Sequence, residues 1–563
     1  MRYMVPKRTN TYADVLEAVG MASLVEELAG LGVRILEQGE SYILEGKEIP
    51  AKTEDWPKIE PGYPFIYLQK DGTPPAGWVL NYDQEKKKAE TQREFRNAAD
   101  KKREKMLQAL REQGIDEPPA PVPEYQMALF LAMMRKGWSS DKQLFLWLRE
   151  NSNRAASWIK ANLDNIAATV ESPPVSNSQI FNPISGKGVH RPKPDSTSPG
   201  SISGELINPF AEWLKYRGAY RSMLPYRVDG DFKVFVIEPA DIPLSELTKL
   251  HIELRKLVIW RRLRLDIETP LRLTELLIQH SDVLGNPISL RSRRPADAVR
   301  GLHQAYFQNL GNAAALMNYS FTALPSWFVV NDRNDANAYF RLIHSFVGRK
   351  EKDGVTGCLL SLSEDRSDDV PVLQQFRRWL ANGDLKDFLL FCYRFAVHVM
   401  ERMGRDEWVM KLSTDNLDTI LLRGYNMQDI VASKGFQSIT RAMRNATVYA
   451  LQTQKQKKHE REVHFGLAQK WKQKIKGGEK EFMAALAEFV QQYNWESENL
   501  DAKLPGDGWK HHKVSAGDLD ELLVLLNRHG AELVGMLLLA YGYARMPKQD
   551  TLEQEQEQEK EVV

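Results

Sequence analysis

The sequence predicts a predominantly helical α+β protein, with a mixed N-terminal domain and a mixed central domain followed by a C-terminal helical bundle. Three observations carry this expectation. From about Phe376 to Tyr543, segment after segment repeats apolar residues every three or four positions, the period of a helix with one buried stripe. Upstream, short runs rich in β-branched and aromatic residues read as strands, FKVFVIEP at 232–239 foremost. Residues 171–204, ESPPVSNSQIFNPISGKGVHRPKPDSTSPGSISG, follow neither period and are dense in Pro, Gly and Ser. A segment of that length and composition is a long loop.

Taken in order, residues 11–31 have Val15, Leu16, Val19, Leu24, Val25 and Leu28 at helical spacing. Residues 63–82, YPFIYLQKDGTPPAGWVLNY, suggest two strands flanking a turn, since Asp-Gly and Pro-Pro disfavour helix. Residues 83–114 are highly charged and free of Pro and Gly before Gly114, which predicts one long solvated helix. PPAPVP at 118–123 is a stiff bend, and MALFLAMMRKGW and KQLFLWLREN are helical. Residues 243–280 read as helix or strand–helix. FRRWL, KDFLLFCYRFAVHVMERM, FMAALAEFVQQY and DLDELLVLLNRHGAELVGMLLLAYGYARM follow as bundle helices. The expected domains are 1–225, 226–375 and 376–547, with a disordered acidic tail at 548–563.

No apolar run of about 18 residues is present and the N-terminus lacks a signal peptide's apolar core, so a cytoplasmic protein without a membrane partner is expected. Cys358 and Cys392 lie among apolar neighbours and read as two buried thiols. The motifs of nucleotide and metal chemistry are missing. ISGKGVH lacks the first glycine and the final Ser/Thr of a Walker loop, and no G-x-G-x-x-G, H-E-x-x-H or paired zinc-spaced cysteines occur. His511-His512 sits between Lys510 and Lys513 and reads as a solvated basic turn. SEDRSDD, with Glu364, Asp365, Asp368 and Asp369, reads as a surface loop. The expectation is therefore a protein with no catalytic residue, no cofactor and no metal site.

Charge is the informative feature. The chain is nearly neutral, with Lys+Arg 76 against Asp+Glu 75, yet Arg441–Gly477 gathers ten Lys/Arg against two Glu. On a helix, Ala468, Trp471 and Ile475 share one face, and Lys470, Lys472, Lys474 and Lys476 fan over the rest. Lys455, Lys458 and Arg461 lie three apart upstream. Such a surface suits a phosphate backbone, because each amine displaces a condensed counterion without reading base identity. These seven residues are the candidate strand-phosphate contacts; the competing reading is an ordinary solvated helix. The loop NPISGKGVHRPKP supplies a second set, Lys187, Gly188, His190, Arg191 and Lys193, with glycines that admit close approach to a duplex. Arg291, Arg293 and Arg294 in SLRSRRP, and Arg261, Arg262 and Arg264 beside Trp260, are further basic clusters.

A last stretch, DAVRGLHQAYFQNLGNAAALMNYSFTALPSWFVVND from Asp297 to Asp332, has Gly311-Asn312 ahead of an expected Ala-rich helix, then Met317-Asn318 and Leu324-Pro325-Ser326-Trp327-Phe328. With YADVLEAVGMASLVEEL near the N-terminus, the basic glycine loop and the helical C-terminus, it resembles the large subunits of type I CRISPR effector (Cascade) complexes, closest to the I-A/I-B branch. The resemblance covers the layout of most of the chain. It implies a non-catalytic subunit that recognises the protospacer-adjacent motif (PAM) in double-stranded target DNA through the 171–204 loop, with Arg291, Arg293 and Arg294 second. It implies a C-terminal bundle, like a small subunit, that stabilises the R-loop. The implied partners are crRNA, target duplex, a repeated backbone subunit, a crRNA-end-binding subunit, separate small subunits, and a downstream nuclease or transposition machinery. Sequence would then be read by base pairing and shape by protein. No adjacent His-Asp occurs, so the HD nuclease found in some such subunits is not expected. The alternative is a helical scaffold or adaptor that binds other proteins without nucleic acid.

Overall fold

The structure is a computed structural model, and it describes residues 1–68, 79–116, 118–119, 138–166, 170–173, 175, 178–183, 208–228, 230–257, 265–284, 294–309, 314–325, 328–348, 357–455, 461–503 and 510–546. It is predominantly helical with small sheets, as the sequence predicts. Two compact units are present: one holds Met1–Leu265 and Arg272–Leu324, the other Asp266–Leu271 and the chain from Pro325.

The first unit begins with β1 (Arg2–Pro6), α1 (Tyr12–Ala29), β2 (Arg34–Gln38) and β3 (Ser41–Glu45). Thr11 caps α1, its hydroxyl accepting from the Ala13 amide. The helix is buried from Tyr12 through Val25, on every side rather than along one stripe. Next come β4 (Phe65–Tyr67), β5 (Val79–Asn81), α2 (Tyr82–Asn97), α3 (Asp100–Arg111), α4 (Trp138–Glu150), α5 (Ser152–Leu163) and α6 (Pro209–Ser222). α1 and α6 touch backbone to backbone. A Cβ on Gly20 would lie 1.9 Å from the Leu214 carbonyl oxygen, and one on Gly218 would lie 1.9 Å from that of Leu16. Only glycine permits that approach.

The remaining elements are β6 (Met223–Val228), β7 (Asp231–Pro239), β8 (Asp241–Pro243), α7 (Leu244–Leu257), α8 (Leu265–Gln279, whose residues 266–271 are counted with the second unit), β9 (Val299–Asn309) and β10 (Ala314–Ala323). They complete two antiparallel sheets, ordered β1-β3-β2-β8 and β10-β9-β7-β6. β8 pairs with β2 about 200 residues earlier in the chain, so the expected boundary at 225/226 falls inside one unit.

β4 and β5 are the two strands expected in 63–82, and they pair in parallel. Three sequence expectations are corrected here. The charged 83–114 segment is two helices, because Ala98 turns extended and is buried. Arg103 there donates to the Phe95 and Ala98 carbonyls that α2 leaves open. The expected Ala-rich helix after Gly311-Asn312 is the strand β10, paired along its length with β9. Cross-strand burial outweighs the helix propensity of its alanines. Finally, the second boundary lies at 324/325 rather than 375/376.

The second unit contains α9 (Arg333–Val347), α10 (Val370–Asn382), α11 (Leu385–Gly404), α12 (Thr414–Arg423) and α13 (Lys434–Arg444). α13 continues through a π-helical turn, Asn445–Tyr449, into α14 (Ala450–Lys455). α15 (Leu467–Lys476), α16 (Glu479–Asp501), α17 (Ala516–His529) and α18 (Ala531–Gly542) complete the bundle. Gly478, at φ 100°, makes the left-handed turn between α15 and α16. Cys358 and Cys392 are free and buried, as expected. SEDRSDD is only partly a surface loop: Asp369 is buried against His398 at 3.1 Å and Arg366 at 2.9 Å, and Glu364 pairs with Arg377 at 2.7 Å. His511 and His512 are likewise half-buried, bonded to Asp501, Ser438 and Tyr493, rather than solvated.

Candidate nucleic-acid interface

α15 buries Leu467, Ala468, Trp471 and Ile475, and this single stripe fixes where its lysines point. Trp471 meets Phe482 and Phe489 edge-on, each with ring centroids 5.4 Å apart. The four lysines are thereby held on the outer surface, as the sequence predicts. Their surroundings differ. Lys470 donates to both oxygens of Glu488 at 2.9 Å, and Lys474 lies 3.3 Å from Glu481. Both pairs are exposed, so they contribute about 0–1 kcal/mol each.

Lys472 and Lys476 belong to a different cluster. Burial pulls the Lys472 amine below the usual lysine range; Glu532 opposes this, and the charges of Lys476 and Lys386 add to it. Those four groups therefore sit within electrostatic reach of one another. Lys386 opens α11 and Glu532 opens α18, 3.3 Å apart. Three helices contribute these groups, of which Lys386 and Glu532 form an exposed ion pair. Sequence reading missed Lys386, because 86 residues separate it from Lys472 and nothing local marks it.

Arg461 is a correction. It is buried, with Nη1 donating to the Tyr493 carbonyl at 3.1 Å and Nη2 to Ser497 Oγ at 2.7 Å. The guanidinium pairs with Glu496 at 3.2 Å and lies 4.2 Å from the Tyr493 ring centroid. It ties the segment before α15 to α16 and offers no surface to a phosphate. Burial alone would raise the Glu496 carboxyl, but the hydrogen bond and charge of His464, with Arg461 and Gln492, outweigh it and hold that carboxyl low.

Lys455 ends α14; its side chain, and Lys458, lie outside the described residues. So do Lys187, Gly188, His190, Arg191 and Lys193 of the expected duplex-contacting loop, and Arg291, Arg293, Trp260, Arg261, Arg262 and Arg264. Arg294 is exposed at the start of a single helical turn, Pro295–Ala298, in the first unit.

The first unit holds a second polar constellation, which no sequence motif announces. Glu238, His303 and Tyr319 stand on the adjacent strands β7, β9 and β10. His303 Nε2 is 2.5 Å from Glu238, and its Nδ1 is 2.7 Å from the Tyr319 hydroxyl. That hydroxyl accepts from the Tyr12 amide, while Tyr42 and Lys7 also reach Glu238. A histidine between carboxylate and phenol has the layout of a proton relay. Here burial pushes the Tyr319 phenol up, so the end group is a poor acid or nucleophile. The constellation ties α1 to both sheets.

Among the described residues no cluster of three His, Cys, Asp or Glu side chains is arranged to hold a metal, and no helix is long and apolar enough to cross a membrane. Comparison with protein-family models gives no match, and comparison with curated proteins gives none either.

Proposed function

We propose that this chain is a non-catalytic, nucleic-acid-binding large subunit of a type I CRISPR RNA-guided surveillance complex. The observation that carries the reading is the cluster of Lys386, Lys472 and Lys476 on one flank of α15, with Lys470 and Lys474 on the other. An otherwise acidic chain gathers amines around one bundle helix, and an extended polyanion is a ligand that such a helix fits. The resemblance in layout to Cascade large subunits supports the assignment of that polyanion as the displaced or paired strand of an R-loop. On this reading the 171–204 loop, with Lys187, His190, Arg191 and Lys193, and the Arg291–Arg294 segment meet the PAM duplex. Guide pairing supplies sequence recognition.

Purification from the native host under mild salt tests this. Co-recovery of crRNA and a repeated backbone subunit is expected. Recovery of protein partners without RNA would favour the adaptor reading instead and overturn this one. Replacing Lys187 and Arg191 together should weaken PAM-containing duplex selectively; equal loss on PAM-less DNA would reduce that loop to a general electrostatic contact.

A further inference from the structure

A sheet ends in strands whose outer amides and carbonyls lack a ladder, and folded proteins blunt such edges with proline, charge, shortness or a covering segment. The two four-stranded sheets end on β1 and β8, and on β6 and β10. β1 carries Arg2 and Pro6, β8 is three residues long with Asp241 and Pro243, and β6 carries Pro225. A proline has no N–H to offer a further strand. β10, AALMNYSFTA, has neither proline nor charge over ten residues. Its one irregularity is a bulge at Met317, after which residues 318–323 pair with β9 in unbroken register.

The ladder decides which groups of β10 face outward. Just past the strand, the Leu324 N–H donates to the Arg300 carbonyl at 2.9 Å. Bonded and non-bonded pairs alternate in an antiparallel ladder. Asn318, Ser320 and Thr322 therefore aim their backbone at β9, and Tyr319, Phe321 and Ala323 aim theirs away. The N–H and C=O of those three meet no partner among the described residues. The side chains divide the same way. Tyr319, Phe321 and Ala323 stand on one face, beside His303, whose ring is 5.9 Å from that of Tyr319 and 5.0 Å from that of Phe321. Phe321 is 43% exposed. Asn318, Ser320 and Thr322 stand on the other face, where Thr322 accepts from Gln304 at 2.7 Å. One side of the edge is aromatic and the other is amide and hydroxyl.

We propose that the outer edge of β10 binds an extended, uncharged segment of a partner protein as an added antiparallel strand. Apolar, β-branched residues of that segment lie opposite Tyr319, Phe321 and Ala323, and hydroxyl residues lie opposite Ser320 and Thr322. Main-chain hydrogen bonds supply affinity and the alternation supplies register, since a slip of one residue sets hydroxyls against the Phe321 ring. Length favours a peptide over a second copy of this chain. Six residues span about 20 Å, and two folded copies meeting along so short an edge fall below the roughly 800 Å² per partner that a stable dimer buries. This inference does not depend on the nucleic-acid reading above: β10 belongs to the first unit and α15 to the second.

The test uses the purified full-length chain, without nucleic acid, and fluorescence anisotropy of labelled peptides. One carries Val-Thr-Val-Thr-Val between Gly-Lys flanks. Two others repeat it with N-methyl groups, on the valine amides in one and on the threonine amides in the other. A fourth, Val-Val-Thr-Thr-Val, keeps the composition and breaks the alternation. Saturable binding is expected for the first peptide and for the threonine-methylated one. Valine methylation and reordering should each weaken binding about tenfold or more, since both remove strand hydrogen bonds. Phe321→Pro removes one outward N–H and leaves the bonds to β9 in place, so it should weaken the alternating peptide to the same degree. Phe321→Ala keeps every amide and should lose only a few-fold, with thermal melts checking both folds. If the proline variant unfolds, the methylated series decides alone. Binding indifferent to the position of the methyl groups, or unchanged in a folded Phe321→Pro, overturns strand addition at β10. So does a failure of every peptide to bind. A concentration-dependent dimer in analytical ultracentrifugation that Phe321→Pro converts to monomer overturns the peptide assignment in favour of a second copy.

Discussion

Neutralising the three-helix corner separates an electrostatic surface from a merely solvated one. The perturbation is Lys386→Gln, Lys472→Gln and Lys476→Gln in one chain. None of these amines is an obligatory core contact: Lys386 and Lys476 are exposed and Lys472 is half-buried with its amine 3.2 Å from Met536 Sδ. The fold should therefore survive. Each phosphate contact adds roughly 0.7 to the slope of log affinity against log salt for a single strand. One of the three amines is partly offset by Glu532, so the slope should flatten by ~1.5 to 2. Between ~50 and ~200 mM salt, the wild type should then lose roughly tenfold more affinity than the triple variant. The assay is anisotropy of a labelled single strand across that salt range, read alongside thermal melts of both proteins. A companion variant, Lys470→Gln with Lys474→Gln, removes amines already paired with Glu488 and Glu481, and should flatten the slope less. An unchanged slope in the triple variant, or a larger change in the paired variant, refutes the assignment of this corner.

Three further outcomes follow from the packing. Gly218→Ala places a methyl inside the Leu16 carbonyl and should cost about 3 kcal/mol or more, as should Gly20→Ala against Leu214; urea unfolding with an unmoved midpoint would mean α1 and α6 do not cross this tightly. Arg461→Met leaves the Glu496 carboxylate with His464 and Gln492 alone and should cost about 3 kcal/mol, recovered in part by adding Glu496→Gln; no recovery would show that the arginine acts through Tyr493 and Ser497 alone. His251 is buried against the Met223 carbonyl at 2.8 Å, and its pKa is lowered to about 3, chiefly by burial, with Arg255 adding to it. The unfolded chain then takes a proton that the folded one refuses, so this residue contributes no pH dependence above about 6.5 and destabilises progressively as pH falls from there toward 3. His251→Gln should flatten that limb in pH-dependent denaturant melts, and an unchanged limb places its origin elsewhere.

What could be read from the sequence was what depends on neighbours in the chain. The stripe Ala468, Trp471, Ile475 predicted which side of α15 is buried, and it is buried. FKVFVIEP lies within β7, and 11–31 contains α1. What could not be read was set by distant partners. The first sheet joins residues 2–45 to 241–243, and no local period announces a three-residue strand that completes an edge. The alanines after Asn312 favour helix locally, but β9 offers them a ladder. α1 looks like an irregular amphipathic helix because it has no solvent side at all from Tyr12 to Val25.

The candidate interface shows the same division more sharply, since charge in a sequence is a count and charge on a surface is a placement. Arg461 raised the basic tally of its segment, yet it is spent inside the bundle on Glu496 and Tyr493. Lys470 and Lys474 are surface charges with carboxylates across the α15–α16 turn, so their positive field is local and conditional. Lys386 added nothing to the tally, yet it pairs with Glu532 and adds its charge to that felt by Lys472. A polyanion would therefore meet two unlike flanks of α15: Lys470 and Lys474, each held to a carboxylate of α16, and Lys472 and Lys476, within electrostatic reach of each other and near Lys386 and Glu532.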